Sequence, residues 1–189
     1  MNAHAFEGGF ANPPQDGAFA FRAIMNAIAK PGTIFSIQGG VPPTGLSTAA
    51  GSVILTLCDP ETPIALMQSA DNEEVRNWIT FHTGAPIVSA ADAHFAVGAW
   101  TEMMPLKQFR QGTPEFPDRS ATLIIECEKL EQSGAFLRGP GIKETNRFSL
   151  PNLEAFQRNS ELFPLGVDFL FCAGSQVAGL PRTTKVSEV

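Results

Sequence analysis

The chain has no tyrosine among its 189 residues, only three cysteines, and no apolar run approaching the length of a bilayer span. Each shortage removes a class of function. A transmembrane helix needs about 20 consecutive, mostly apolar residues, so no membrane partner is expected. Cys58, Cys127 and Cys172 are odd in number, far apart and set in apolar surroundings, which argues against a disulfide framework and against thiolate metal spacing. They read as small buried hydrophobes of a reducing compartment. The opening stretch Met1–Glu7 lacks the basic start and apolar core of a secretory signal, so a cytoplasmic location is expected. Without tyrosine, side chains that both stack and hydrogen-bond at a wet surface are scarce, and the 15 phenylalanines are assigned mostly to the core. Positive charge is also short. In the first 100 positions Arg22, Lys30 and Arg76 face eight acidic residues, and the whole chain carries a formal charge of −6. A surface built for a phosphate backbone would be basic, so nucleic acid is not an expected partner.

Complete catalytic signatures are missing too. There is no Gly-Lys pair of a phosphate loop, no Gly-x-Gly-x-x-Gly, no His-Glu-x-x-His, no Cys-x-x-Cys and no Gly-x-Ser-x-Gly. No catalytic residue and no metal site is assigned on these grounds.

What is present is a regular alternation of helix and strand signals in a chain of single-domain length. Residues 1–189 are read as one domain, with residues 1–15 as a flexible N-terminal segment. Apolar spacing predicts a helix from Asp16 to Lys30, capped by Asp16 and ended by Pro31-Gly32, and a strand over Thr33–Gln38. A second helix is expected over Ser47–Leu57 with Ser47 as its cap, then a buried strand over Pro63–Met67. A third helix is capped by Asp71 or Asn72 and turns Val75, Trp78 and Ile79 inward, and Ala85–Val88 reads as another strand. Between Glu102 and Ser120, breaks at Pro105, Gly112, Pro114 and Pro117 predict an irregular surface excursion. Strands over Thr122–Cys127 and Ala135–Arg138, a helix over Asn152–Leu162 and a closing hairpin complete the chain. That hairpin is expected at a sheet edge, with Val167–Phe171 against Val177–Leu180. Alternation first and a hairpin last imply an α/β fold with a mixed sheet.

The hairpin is entered through Pro164-Leu165-Gly166 and left through Pro181-Arg182-Thr183-Thr184, and these flanks resemble the PhnH family of the bacterial carbon-phosphorus lyase system. Four other stretches agree with the resemblance, in order along nearly the whole chain. They are Phe21-Arg22 with Met25, Ala27 and Pro31-Gly32; Leu55-Thr56-Leu57 with Asp59, Thr62 and Pro63; Phe81–Pro86; and Gly139-Pro140-Gly141-Ile142. The resemblance implies a three-layer α/β/α sandwich similar to the pyridoxal-phosphate-dependent transferase fold, without the cofactor. It also implies an accessory role beside partner subunits G, I and J, with L for the synthase step. Together such subunits make α-D-ribose 1-alkylphosphonate 5-triphosphate from ATP and an alkylphosphonate. A homodimer is expected when the chain is alone. None of the lysines Lys30, Lys107, Lys129, Lys143 and Lys185 has the apolar setting of a Schiff-base residue, so no cofactor is assigned. The alternative is a free-standing transferase-like enzyme with a nucleotide or phosphonate pocket built from Arg138, Lys143 and Arg182.

The candidate anion or partner contacts are Arg22, His82, Arg138, Lys143, Arg182, Thr183 and Thr184. Glycines 139 and 141 would let main-chain amides approach an anion between Arg138 and Lys143, or would simply make a tight turn. Arg182 with its two hydroxyl neighbours would hold a phosphate, or would pair with a carboxylate where the hairpin ends. In either role it is expected to emerge at the sheet edge. His82 would bind phosphate or move a proton, or would serve the C-terminal carbonyls of its helix.

Overall fold

The computed structural model describes residues 7–188. Its centre is a six-stranded mixed sheet ordered β1-β8-β7-β4-β3-β2. The strands are β1 (Phe35–Ser36), β2 (Ile64–Leu66), β3 (Phe95–Ala99), β4 (Thr122–Glu126), β7 (Asp168–Ala173) and β8 (Gln176–Leu180). β2, β3, β4 and β7 run parallel, whereas β8 returns antiparallel to β7 and β1 pairs antiparallel with β8. The mixed sheet agrees with the sequence reading. The closing hairpin is not at the edge, however: β7 lies between β4 and β8, and β8 is itself covered by β1 at Phe35↔Val177. Its register is Phe169↔Leu180 through Ala173↔Gln176 around Gly174-Ser175, with Gly174 at φ 54°.

Strand periodicity divides the interior into two cores. Ile64, Val97, Ile124, Leu170, Cys172 and Val177 point to one face of the sheet, against helices α1 (Pro13–Ala29), α2 (Thr48–Leu57) and α3 (Glu73–Thr83). Ala65, Ala96, Leu123, Ile125, Phe169 and Phe171 point to the other. There they meet helix α4 (Leu153–Glu161) and a three-stranded antiparallel sheet ordered β6-β5-β9, formed by Asn146–Phe148, Ala135–Arg138 and Lys185–Ser187. Phe156 ties this second core together. Its ring stacks on Trp100 at 4.6 Å and meets Phe169 edge-on at 4.8 Å, geometries that aromatic pairs favour.

The helix starts follow from side-chain caps. Ser47, Asn72 and Asn152 accept the amide hydrogens of Ala50, Val75 and Ala155 at 3.1, 2.9 and 3.1 Å. Helix α1 departs from expectation, because it begins at Pro13, three residues before Asp16. Pro13 suits a first turn, whose amide hydrogens have no helical acceptor, and Asp16 instead reaches back to accept the Asn12 N–H at 2.8 Å. Helix α3 ends on Gly84 at φ 70°, the left-handed cap glycine adopts most readily.

Three strands, β3, β6 and β9, were not anticipated, and Ala85–Val88 shortens to a single bridge, Ile64↔Ile87. The Glu102–Ser120 excursion is irregular as expected, with short 3-10 turns such as Leu106–Gln108 and Pro117–Arg119. The assignment of phenylalanine to the core holds less widely than expected: Phe19, Phe21, Phe81, Phe116 and Phe163 are exposed. The N-terminal expectation over residues 1–15 falls partly on 1–6, outside the described residues. Residues 7–9 lie against α3, where the Trp78 Nε1–H donates to the Glu7 carbonyl at 3.1 Å. No helix among the described residues is long and apolar enough to cross a membrane.

Candidate functional site

In open α/β sheets, ligands settle at the carboxyl ends of the parallel strands, where connections leave for opposite faces. Here α3 leaves β2 on one face, and the segment after β3 leaves on the other, so the ends of β2 and β3 make that crevice. It is occupied by Glu102. The Glu102 carboxylate accepts the Ser69 N–H at 2.9 Å, the Ser69 hydroxyl at 2.6 Å and the Ala99 N–H at 3.2 Å. Donors that would meet an anion are therefore taken by the protein's own side chain. Gly98 permits this closeness, since a Cβ there would lie 2.8 Å from Glu102 Oε2 and 2.5 Å from Met67 Cβ.

The neighbouring strand end carries a second carboxylate. Glu126 closes β4 and accepts the Ser47 N–H at 2.7 Å, at the start of α2, where the helix dipole favours negative charge. Burial nevertheless pushes its pKa up, against the lowering effect of the hydrogen bonds from Ser47. Neither glutamate was singled out in the sequence, because a Glu at a strand end looks like a solvated terminus and only the fold turns both inward.

Arg182 shows the largest departure from expectation. It follows β8, but its side chain is only 12 % exposed rather than projecting from an edge. Nε donates to Asp168 Oδ1 at 3.1 Å and Nη2 to Asp168 Oδ2 at 2.5 Å. Nη1 donates to the carbonyls of Pro117 and Pro164 at 2.9 and 3.3 Å, and Nη2 also meets the Ser120 hydroxyl. Of the two roles open in the sequence, the carboxylate pair is the one formed. Thr184 is buried, and its N–H closes a turn onto the Pro181 carbonyl at 2.9 Å. Thr183 lies beside it at intermediate exposure.

The Gly139-Pro140-Gly141 turn is a packing device. A Cβ on Gly141, at φ 82°, would fall 1.9 Å from the Ala29 carbonyl oxygen, and one on Gly139 would fall 3.1 Å from that of Thr183. The turn thus joins the end of α1 to the Thr183-Thr184 turn, leaving Arg138 and Lys143 exposed on either side. His82 neither caps α3 nor faces a phosphate loop. Its Nε2 sits 3.1 Å from the Glu7 carbonyl, and its ring lies 5.2 Å from Trp78 and 4.9 Å from Phe81, so it anchors the N-terminal segment. Arg22 projects from the outer face of α1 beside the half-exposed Phe21 and Met25. The structure therefore brings Gly139, next to Arg138, against Thr183 and Thr184, but turns the Arg182 side chain to Asp168 and leaves Arg22 on α1 and His82 on α3. Among the described residues, no group of three His, Cys, Asp or Glu side chains is arranged to hold a metal.

Comparison with known proteins finds similarity over nearly the whole chain. A family model described as bacterial phosphonate metabolism protein (PhnH) matches residues 8–187. The chain is 38% identical over 192 residues to the α-D-ribose 1-methylphosphonate 5-triphosphate synthase subunit PhnH of Rhizobium meliloti (strain 1021), covering 96% of this chain and 95% of that protein. It is 26% identical over 175 residues to a Stutzerimonas stutzeri protein named "Putative C-P lyase subunit protein HtxG", covering 89% of this chain and 84% of the other. By the extent of these matches, the chain belongs to the PhnH family of bacterial phosphonate metabolism proteins.

Proposed function

We propose that the chain is an accessory subunit of a carbon-phosphorus lyase assembly, required with partner subunits for making α-D-ribose 1-alkylphosphonate 5-triphosphate from ATP and an alkylphosphonate. The observation that carries this reading is the near full-length similarity to a protein named as a subunit of that synthase. The geometry supports it. The crevice where a sheet of this type would take a ligand has its donors bonded to Glu102, and the Arg182 of the rival nucleotide pocket is engaged by Asp168. Subunits G, I and J are the proposed core partners, with L joining for the synthase step, in the cytoplasm. In their absence the chain pairs with itself as a two-fold homodimer, the commonest oligomer type. Kinship with the pyridoxal-phosphate-dependent transferases is proposed for the architecture alone, since function does not travel with fold. The residual roles of the exposed candidates Arg22, Arg138 and Lys143 are then contacts to a partner or to an anion that a partner holds.

The test is genetic and biochemical. A host strain lacking the chain should fail to grow on methylphosphonate as sole phosphorus source, and a tagged copy should restore growth and co-purify with the other subunits. Normal growth of the deletion strain would refute the reading. So would binding of ATP or a phosphonate by the purified chain well above that of an unrelated acidic protein.

A further inference from the structure

The small antiparallel sheet has two unlike faces. Leu137, Phe148 and Val186 are buried and pack toward the second core. By strand alternation, Phe136 and Arg138 of β5, Arg147 of β6 and Lys185 of β9 face outward. The register sets Arg138 directly opposite Lys185 and Phe136 opposite Arg147. Like charges directly opposed across strands destabilise a sheet. Among the described residues, no carboxylate relieves this one. The ion pairs among the described residues engage Arg76, Lys129, Arg158 and Arg182, none of which lies on this face. Glu144 in the adjoining turn and Glu188 after β9 border the face without bonding to its cations. The Arg147 guanidinium lies 4.6 Å over the Phe136 ring, an aromatic support that leaves its N–H groups without a hydrogen-bond partner among the described residues. Lys143 lies in the same turn, held against α1 by the approach of Gly141 to Ala29. Unpaired cations are thus concentrated on one face of a protein whose net charge is −6.

We propose that the outer face of this sheet is the docking surface for an acidic surface of a partner subunit, with carboxylates of the partner bridging Arg138 and Lys185 and meeting Arg147 on its aromatic support. This rests on the accessory-subunit reading and assigns that role a surface. A protein partner fits better than a small anion, because small-molecule sites are concave and bury most of their ligand, whereas this is an open sheet face. Arginine and phenylalanine are also enriched at protein interfaces.

The experiment compares three forms of the full chain, co-expressed with the host's other carbon-phosphorus lyase subunits: wild type, R138E/R147E/K185E, and a control with the same charge change elsewhere, R76E/K107E/R119E. Circular dichroism and thermal unfolding check folding, and R138Q/R147Q/K185Q replaces the reversal variant if that one does not fold. Wild type should assemble with an affinity that weakens as salt rises. The face variant should lose about tenfold or more, and the control should stay within about threefold. Wild-type affinity in the folded face variant, beside normal assembly of wild type, overturns the docking surface and leaves the accessory reading intact. Failure of wild type itself to assemble overturns both. Tripolyphosphate serves as the second probe on the isolated chain: tight binding by wild type that the face variant loses would assign the face to a phosphate ligand and overturn the protein-docking proposal.

Discussion

Replacing Arg182 with alanine should be among the most damaging single changes at a partly polar position of this protein. The guanidinium joins four parts of the chain: Asp168 at the start of β7, the Pro117 carbonyl, the Ser120 hydroxyl and the Pro164 carbonyl. Truncation would leave Asp168, whose side chain is 24 % exposed, without its counter-charge, and would strip the Pro117 carbonyl of its donor. Removing one member of a buried pair costs about 3–5 kcal/mol, and the residual exposure of both partners places this case near 3. For a domain of this size about 2–4 °C is lost per kcal/mol, so R182A should melt about 6–12 °C below wild type. R182K, which keeps the charge but not the fork, should fall between the two. Thermal unfolding by circular dichroism reads the effect, and a double-mutant cycle with D168A isolates the coupling. A loss below about 1 kcal/mol for R182A would refute the reasoning and return Arg182 to the exposed ion pair expected from the sequence alone.

Two further outcomes follow from the buried titratable groups. Burial raises the pKa of Glu126 above its ordinary value of 4.5, so the folded state disfavours its ionised form. Its contribution to stability is present below that ordinary value and is lost as pH rises through the folded pKa. E126Q, which keeps an acceptor for the Ser47 N–H, should therefore match wild type near pH 4 and melt higher at pH 7; a lower melting temperature at pH 7 would contradict this. Burial also pushes Cys58 to about 12, Cys127 to about 11 and Cys172 well above the usual thiol range. At pH 8 the native protein should react slowly with an aromatic disulfide reagent, half-buried Cys127 first, and should release all three equivalents once unfolded. Prompt reaction of all three thiols in the native state would show that the cores open freely.

Local chemistry was legible where a segment's own residues determine its conformation. Ser47 and the Asn72 of the Asp71-or-Asn72 alternative cap their helices because a short side-chain oxygen meets an amide two or three residues on, whatever the rest of the chain does. Apolar runs over Thr122–Cys127 and Val167–Phe171, observed as strands Thr122–Glu126 and Asp168–Ala173, were legible because interior strands of a covered sheet are apolar on both faces. The resemblance spread over the chain pointed to the family, since those motifs are short, ordered and local.

Position in three dimensions was not legible. β6 and β9 are three residues each, with Asn146, Arg147 and Lys185 among them, and become strands only because β5 lies between them and offers hydrogen-bond partners. The hairpin reads alike at an edge or in the interior, and only the parallel pairing of β7 with β4 places it inside. The same holds for charge. In sequence Arg138 and Arg182, 44 positions apart, are alike plausible anion ligands. The fold decides between them by distance: Arg182 falls beside Asp168 across β7 and β8 and is neutralised, whereas Arg138 and Lys185 fall opposite one another with no carboxylate between. Coulomb energy depends on separations of a few ångströms, and those separations are set by tertiary contacts that no local pattern encodes.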